Sequence, residues 1–255
     1  MTRIEAVIFD KDGTLFDFAS TWEAWALAFL RRLGRDEAHA REMAAAVGFD
    51  YEAQVFHSDS IVIAGMPSEI AEALAAHLPE WEQGALVDLL NEEAGNAPQA
   101  EAAPLVPLLS GLRAAGLKLG VATNDAEAPA LAHLASAGVT ELFDFVAGFD
   151  SGYGGKPAPG QLLAFCQAVG VAPEASVMVG DSTHDLHAGH AAGMRTVAVL
   201  TGMADEATLA PLADVVLPNI GHLPEWLGLK TGCALAEPMR SGEGVLPPRA
   251  PPEYF

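Results

Sequence analysis

Six side chains in this 255-residue sequence have the types and spacing to do chemistry on a charged group. The first two stand in "FDKDGTLFD", where Asp10 and Asp12 end an apolar run just before a glycine turn. On an extended strand successive side chains alternate, so Asp10 and Asp12 are expected to point one way and Lys11 the other. Two carboxylates converging at a strand tip suit a hard divalent cation, which takes oxygen ligands and cancels their repulsion. They equally suit a nucleophile beside a general acid/base. A calcium loop is excluded, because "DKDGTLFDFAST" has Phe18 at the ninth position and Thr21 where the closing glutamate belongs.

The remaining candidates follow in order. "VATND" supplies Thr123, a hydroxyl able to bind a phosphoryl oxygen, with Asn124 beside it as a second substrate-binding candidate. "GGKPAPG" presents Lys156 from a loop stiffened by Pro157 and Pro159, in a chain with only thirteen lysines and arginines. "VMVGDSTHDLHAG" adds Asp181 and Asp185, which share one face if a helix begins near Ser182. Each piece alone has an ordinary reading, as a surface lysine or a solvated acidic helix face. Four pieces in order, each at the end of an expected strand, define one site.

The elements that must position these residues are legible as an alternation of short apolar runs with longer amphipathic stretches. That pattern predicts an α/β fold, a parallel sheet covered by helices. Strands are expected at 4–9, 117–122, 143–147, 176–179, 196–200 and 214–217. In open α/β sheets ligands bind outside the carboxyl ends of the strands, which is where the polar tails fall. Residues 18–103 carry almost no strand signal and read as an all-helical cap inserted into a core made of 1–17 and 104–230. Within it Trp22, Trp25, Phe29 and Leu33 recur at helical spacing and read as helix packing. Trp22, Trp25, Arg31, Arg32 and Arg35 are also the cap's candidates for facing the site. Residues 231–255, rich in Pro and Gly, read as a flexible tail or one docked through Tyr254 and Phe255.

Composition narrows the partners. Thirteen basic against thirty-four acidic residues give a formal net charge of −21, which argues against nucleic acid and anionic membrane. An anionic substrate then needs a local positive field from a metal or an isolated lysine. Cys166 and Cys233 do not form a disulfide framework, and Cys166 lies on an apolar helix face as a buried free thiol. With no signal-peptide pattern and no membrane-length apolar run, the expected compartment is the cytoplasm.

The sequence resembles the haloacid dehalogenase (HAD) superfamily, through "DKDGTL", the hydroxyl of "ATN", "KPAP" and "GDSTHD" as its four motifs. The likeness covers 4–227 and is strongest to the phosphoglycolate phosphatase-like branch with a helical cap. It implies a Rossmann-like core and a phosphatase acting on a small phosphate ester, phosphoglycolate being the leading guess. Asp10 would be the nucleophile, Asp12 the general acid/base, and Thr123, Asn124 and Lys156 the phosphoryl-binding groups. Mg²⁺ would be held by Asp10, the Asp12 main-chain carbonyl, Asp181 and Asp185. Dehalogenases of the superfamily need no acid for their leaving group, so an aspartate at position 12 favours phosphoryl chemistry. A phosphomutase or phosphonate-cleaving relative, and a non-catalytic binding module, remain as alternatives. Three departures stand out. Lys11 occupies an ordinarily apolar position and is expected to be structural, facing away from the nucleophile. Gly160 replaces a common aspartate, so the following helix is expected to be capped by a bare glycine. His184, His187 and His190 recur every third residue, a poor spacing for zinc, with His184 the one expected to matter.

Overall fold

The computed structural model describes residues 3–57 and 59–229; the tail and Cys233 lie outside them. Among the described residues eight strands form: β1 (Ala6–Phe9), β2 (Phe49–Asp50), β3 (Val55–Phe56), β4 (Lys118–Ala122), β5 (Phe145–Ala147), β6 (Ser176–Gly180), β7 (Arg195–Val199) and β8 (Val215–Leu217). The helices are α1 (Phe18–Leu33), α2 (Glu37–Ala46), α3 (Ile61–Ala64), α4 (Pro67–Ala75), α5 (Gln83–Gly95), α6 (Leu105–Ala114), α7 (Glu127–Ser136), α8 (Gly160–Val169), α9 (Thr183–Ala192), α10 (Glu206–Leu209) and α11 (Leu223–Trp226). All six expected strands are present, each within two residues of its expected ends.

Those six pair in the order β5-β4-β1-β6-β7-β8, and every pairing is parallel. The middle strand β1 is fully buried along its length. Its alternating side chains feed two apolar layers. Val7 and Phe9 join Leu105, Leu109 and Leu134 of α6 and α7. Ala6 and Ile8 join Leu162, Phe165 and Ala188 of α8 and α9. A strand buried on both faces has to be apolar at every position, which is why "AVIF" shows no polar alternation. The chain builds outward from β1 to β4 and β5, then returns to β6 on the other side. The crevice at that switch point lies beyond the carboxyl ends of β1, β4 and β6, where the polar tails begin.

Helices α1–α5 have an apolar cluster of their own, which includes Phe29, Met43, Phe56, Leu74 and Leu86. Asp17 opens α1 as its N-cap, its carboxylate accepting from Ser20 N at 2.9 Å. The stretch is not purely helical. β2 and β3 form a minimal antiparallel hairpin, with the Phe49 and Phe56 rings 4.9 Å apart. Strands of two residues are too short to leave a readable alternation. Entry and exit of the segment lie side by side: Asp17 N donates to Ala100 O at 2.8 Å and Ala102 N to Leu15 O at 3.0 Å.

Candidate active site

Asp10 follows β1 directly, its N–H donating to Val179 O of β6 at 2.8 Å. Its Oδ1 accepts from Lys156 Nζ at 2.6 Å, and the same ammonium donates to Asp185 Oδ1, also at 2.6 Å. Asp185 is fixed by the start of α9, where its Oδ2 accepts from Ser182 N at 3.0 Å and Ser182 Oγ at 2.7 Å. This is a capping box, closed by Asp185 N donating back to Ser182 Oγ. Asp181 accepts from Thr14 Oγ1 at 3.0 Å. Gly13 sits beside it with φ +78°, where a Cβ would overlap the Asp181 carboxylate. The carboxylates of Asp10, Asp181 and Asp185 converge, offering oxygens all within 4.8 Å of one another.

Three buried carboxylates here face one ammonium. Burial is the main cause that pushes the Asp10 carboxyl up to about 7, Lys156 opposing it and Asp185 adding to it. Asp181 is raised well above the ordinary range by burial, then by Asp10 and Asp185. Lys156 keeps its charge although burial disfavours it, because Asp10 and Asp185 outweigh that loss and raise its pKa. The cluster is therefore short of positive charge and composed of hard oxygen donors, a set that fits Mg²⁺.

Asp12 takes a different course. β1 ends at Phe9, so the period-2 alternation expected across residues 10–12 does not hold. Lys11 is fully buried and does not point away from the acids. Its Nζ lies 2.6 Å from Asp12 Oδ2 and 3.2 Å from Asp125 Oδ2, and donates to His133 Nδ1 at 2.9 Å. Burial works against the Lys11 charge, but Asp12 and Asp125 outweigh it and raise its pKa. His133 is pulled down to about 4 by burial and by the Lys11 charge, so it stays neutral. Its Nε2–H then donates to Ala94 O of α5 at 2.7 Å. The other Asp12 oxygen, Oδ1, accepts from Trp22 Nε1 of α1 at 3.0 Å. Lys11 is thus a counter-ion to Asp12: it is turned toward that acid, against the expected direction, and pairs within the protein as a structural role requires.

Thr123 follows β4, buried, its Oγ1 accepting from Asp125 N at 3.0 Å. That leaves its O–H to donate to a phosphoryl oxygen. Asn124, expected to bind substrate, lines the same cavity as Asp10 and Thr123, with both its amide donors spent on Ala64 O and Lys156 O, each at 2.9 Å. Its Oδ1 accepts from Lys156 N at 2.7 Å, so the side chain clamps the backbone that carries the lysine. The Gly160 expectation is corrected too. Pro159, not Gly160, is the N-cap of α8. Gly160 is the first helical residue, and a Cβ there would overlap the Tyr153 carbonyl. The glycine lets the loop fold back before Lys156. Gly160→Asp is therefore expected to cost roughly 1–3 kcal/mol and to lower activity rather than improve the helix, as thermal melts and turnover would show. A variant as stable as the parent would refute this.

A cavity of about 80 Å³ opens above these groups. Asp10, Asp12, Thr123 and Lys156 line it, together with Trp22, Trp25, Ile63, Ile70 and Leu90. The tryptophans, read as helix packing, face the site as well as stacking: Trp22 meets Trp25 edge-on at 5.2 Å and Trp25 stacks on Phe29 at 4.9 Å. The arginines do not line it. Arg31 donates to Tyr51 Oη at 2.9 Å and Arg32 to Glu93 Oε1 at 2.7 Å. His184 lines the cavity, while His187 and His190 are exposed.

A haloacid dehalogenase-like hydrolase family model matches residues 4–193. The chain belongs to the haloacid dehalogenase-like hydrolase family. It is 33% identical over 224 residues to a phosphoglycolate phosphatase of Chromobacterium violaceum, covering 88% of this chain and 96% of the relative. To the phosphoglycolate phosphatase of Nitrosospira multiformis it is 30% identical over 218 residues, covering 85% and 92%. The fold is similar to that of a HAD phosphatase from Thermococcus onnurineus, with TM-score 0.61, 24% identity and coverage of 88% and 98%. This chain is a HAD-family phosphatase, a phosphoric monoester hydrolase.

Sequence reasoning missed four residues of this HAD site. Asp125 and His133 contact Lys11, and Gln99 Nε2 lies 3.3 Å from His133 Nε2 on the far side of that ring. Ser182, the cap of α9, holds Asp185. A buried lysine requires an anionic partner, and Asp125 stood in the quoted "VATND"; that was the available signal. No helix among the described residues is long and apolar enough to cross a membrane.

Proposed function

We propose that this HAD phosphatase hydrolyses a small phosphate monoester through an aspartyl-phosphate on Asp10, with Mg²⁺ as its cofactor. The observation that carries the reading is the convergence of Asp10, Asp181 and Asp185 around a single buried lysine at the tip of β1. Asp10 attacks phosphorus, and the bond from phosphorus to the ester oxygen breaks. Asp12 gives its proton to the departing alkoxide. It then takes a proton from the water that attacks the aspartyl-phosphate, which releases inorganic phosphate and restores the Asp10 carboxylate. Lys156 and the Thr123 hydroxyl stabilise charge on the phosphoryl oxygens, the larger part of catalysis in such transfers. Asp10, Asp181, Asp185 and the Asp12 main-chain carbonyl would hold Mg²⁺, which when bound supplies positive charge to the phosphoryl group.

Helices α1–α5, by this reading, act as a cap over the phosphoryl site, spanning 18–103 between the two parts of the core. The names of the relatives make phosphoglycolate the first ester to assay. The test is phosphate release from a panel of phosphorylated metabolites, with and without Mg²⁺. Release that requires Mg²⁺ supports the proposal, and none from any ester overturns it. Isomer interconversion of a sugar phosphate with little free phosphate would instead indicate a mutase. Independently of turnover, millimolar Mg²⁺ is expected to raise the melting temperature and EDTA to reverse the rise, since a ligand of the folded state stabilises it by mass action.

A further inference from the structure

The cavity is divided by chemistry. Its phosphoryl end carries Asp10, Asp12, Thr123 and Lys156, whereas the end toward α1, α3, α4 and α5 is lined by Trp22, Trp25, Ile63, Ile70 and Leu90. Among the described residues, the cationic or potentially cationic side chains lining it are Lys156 and His184. Lys156 is committed to Asp10 and Asp185 at 2.6 Å each, and His184 belongs to α9 on the sheet side. The nearest arginines in sequence to the apolar wall are turned outward: Arg31 pairs with Glu37 at 3.4 Å and Arg32 with Glu93 at 2.7 Å. Asp12 and Asp125 also line the cavity, within a chain of formal net charge −21.

A carboxylate entering the apolar end would lose its hydration and meet no free counter-charge, since the Lys11 ammonium behind Asp12 and Asp125 is committed to those two acids. An apolar group there would instead exchange water for indole and branched aliphatic surface. We propose that the leaving-group end selects uncharged, apolar alcohols, so that aryl-methyl and branched-alkyl phosphates are better substrates than phosphoglycolate. The proposal rests on the phosphatase reading above, and deepens it by naming the leaving-group class. Trp25 and Ile70 become specificity-determining residues, both half-buried and facing the cavity.

The experiment compares kcat/KM with Mg²⁺ for benzyl phosphate, 3-methylbutyl phosphate and phosphoglycolate, all unactivated alkyl esters. Either apolar ester is expected to exceed phosphoglycolate by at least about tenfold, the discrimination one or two buried methylenes supply. Phosphoglycolate equal to or better than both would overturn the proposal while leaving the phosphatase intact. No hydrolysis of any of the three esters would overturn the proposal, while phosphate release from another phosphorylated metabolite of the panel would leave the phosphatase reading standing. Ile70→Lys, with Ile70→Gln as the uncharged control, probes the same wall, and thermal melts confirm that each variant folds. The lysine is expected to shift preference toward phosphoglycolate, mainly through KM, and the glutamine is not. Equal preference in the two variants would overturn the assignment of Ile70.

Discussion

Asp10→Asn is expected to abolish turnover and, in the same protein, to raise the melting temperature of the metal-free state. The activity loss follows from removing the proposed nucleophile, for which at least about three orders of magnitude in kcat is ordinary. The gain in stability follows from charge. Asp10 is the carboxylate that burial, Asp185 and Asp12 all push upward, to about 7, against the opposing pull of Lys156. A carboxyl whose folded pKa lies above its unfolded value binds more protons folded than unfolded between the two. Its stability contribution is complete below the unfolded value, 3.8, and is lost as pH rises through about 7. A shift of that size corresponds to something on the order of 4 kcal/mol. In EDTA, melts of the parent should therefore fall between pH 4 and 7, and those of Asp10→Asn should fall less. Lys156 keeps Asp185 as its partner in the variant. A variant that turns over, or a parent whose melting temperature ignores pH in this range, would refute the respective half of the argument.

Lys11→Met has the second largest expected effect, this time on stability. The side chain is wholly buried and its ammonium serves Asp12, Asp125 and His133 at once. Removing the charge leaves Asp125 buried without its cation, a loss of about 3–5 kcal/mol in comparable cases. For a chain of this size that is roughly 10 °C in melting temperature. Lys11→Met combined with Asp125→Asn should recover much of the loss, because the pair is removed rather than broken and the side chain can still accept from Ala126 N. If the double variant melts no higher than Lys11→Met alone, the Lys11–Asp125 pair is not the source. Activity separates the two acids: with Trp22 alone left to hold Asp12, the single variant should lose kcat more than KM.

The sheet and the site motifs were legible because both are written locally. An apolar run buried on two faces needs no knowledge of its neighbours, and polar residues following it mark where a parallel sheet opens. What escaped was decided by contacts distant in sequence. In a strand Lys11 would point opposite to Asp10 and Asp12, but β1 stops one residue before Asp10. Trp22 and Trp25 at helical spacing satisfy packing and cavity lining equally, so their sequence cannot choose between the two. Gly160 is explained by the Tyr153 carbonyl, seven positions earlier, which only the folded loop brings close. Asn124 carries the right groups for a substrate, but Ala64 and Lys156 claim them first.

The two strands of chain joining the core to α1–α5 lie within hydrogen-bond reach of each other, at Leu15–Asp17 and Ala100–Ala102. Topologically the helical segment is therefore a pendant on a single stalk. A short turn between the stalk's two sides would close the core without rerouting any strand, and a foreign segment with adjacent ends would join as readily. On the proposed reading, the groups for phosphoryl chemistry and those for alcohol recognition come from different stretches of chain. A chimaera exchanging 18–99 should inherit its preference for the alcohol from the donor and its nucleophile from the recipient.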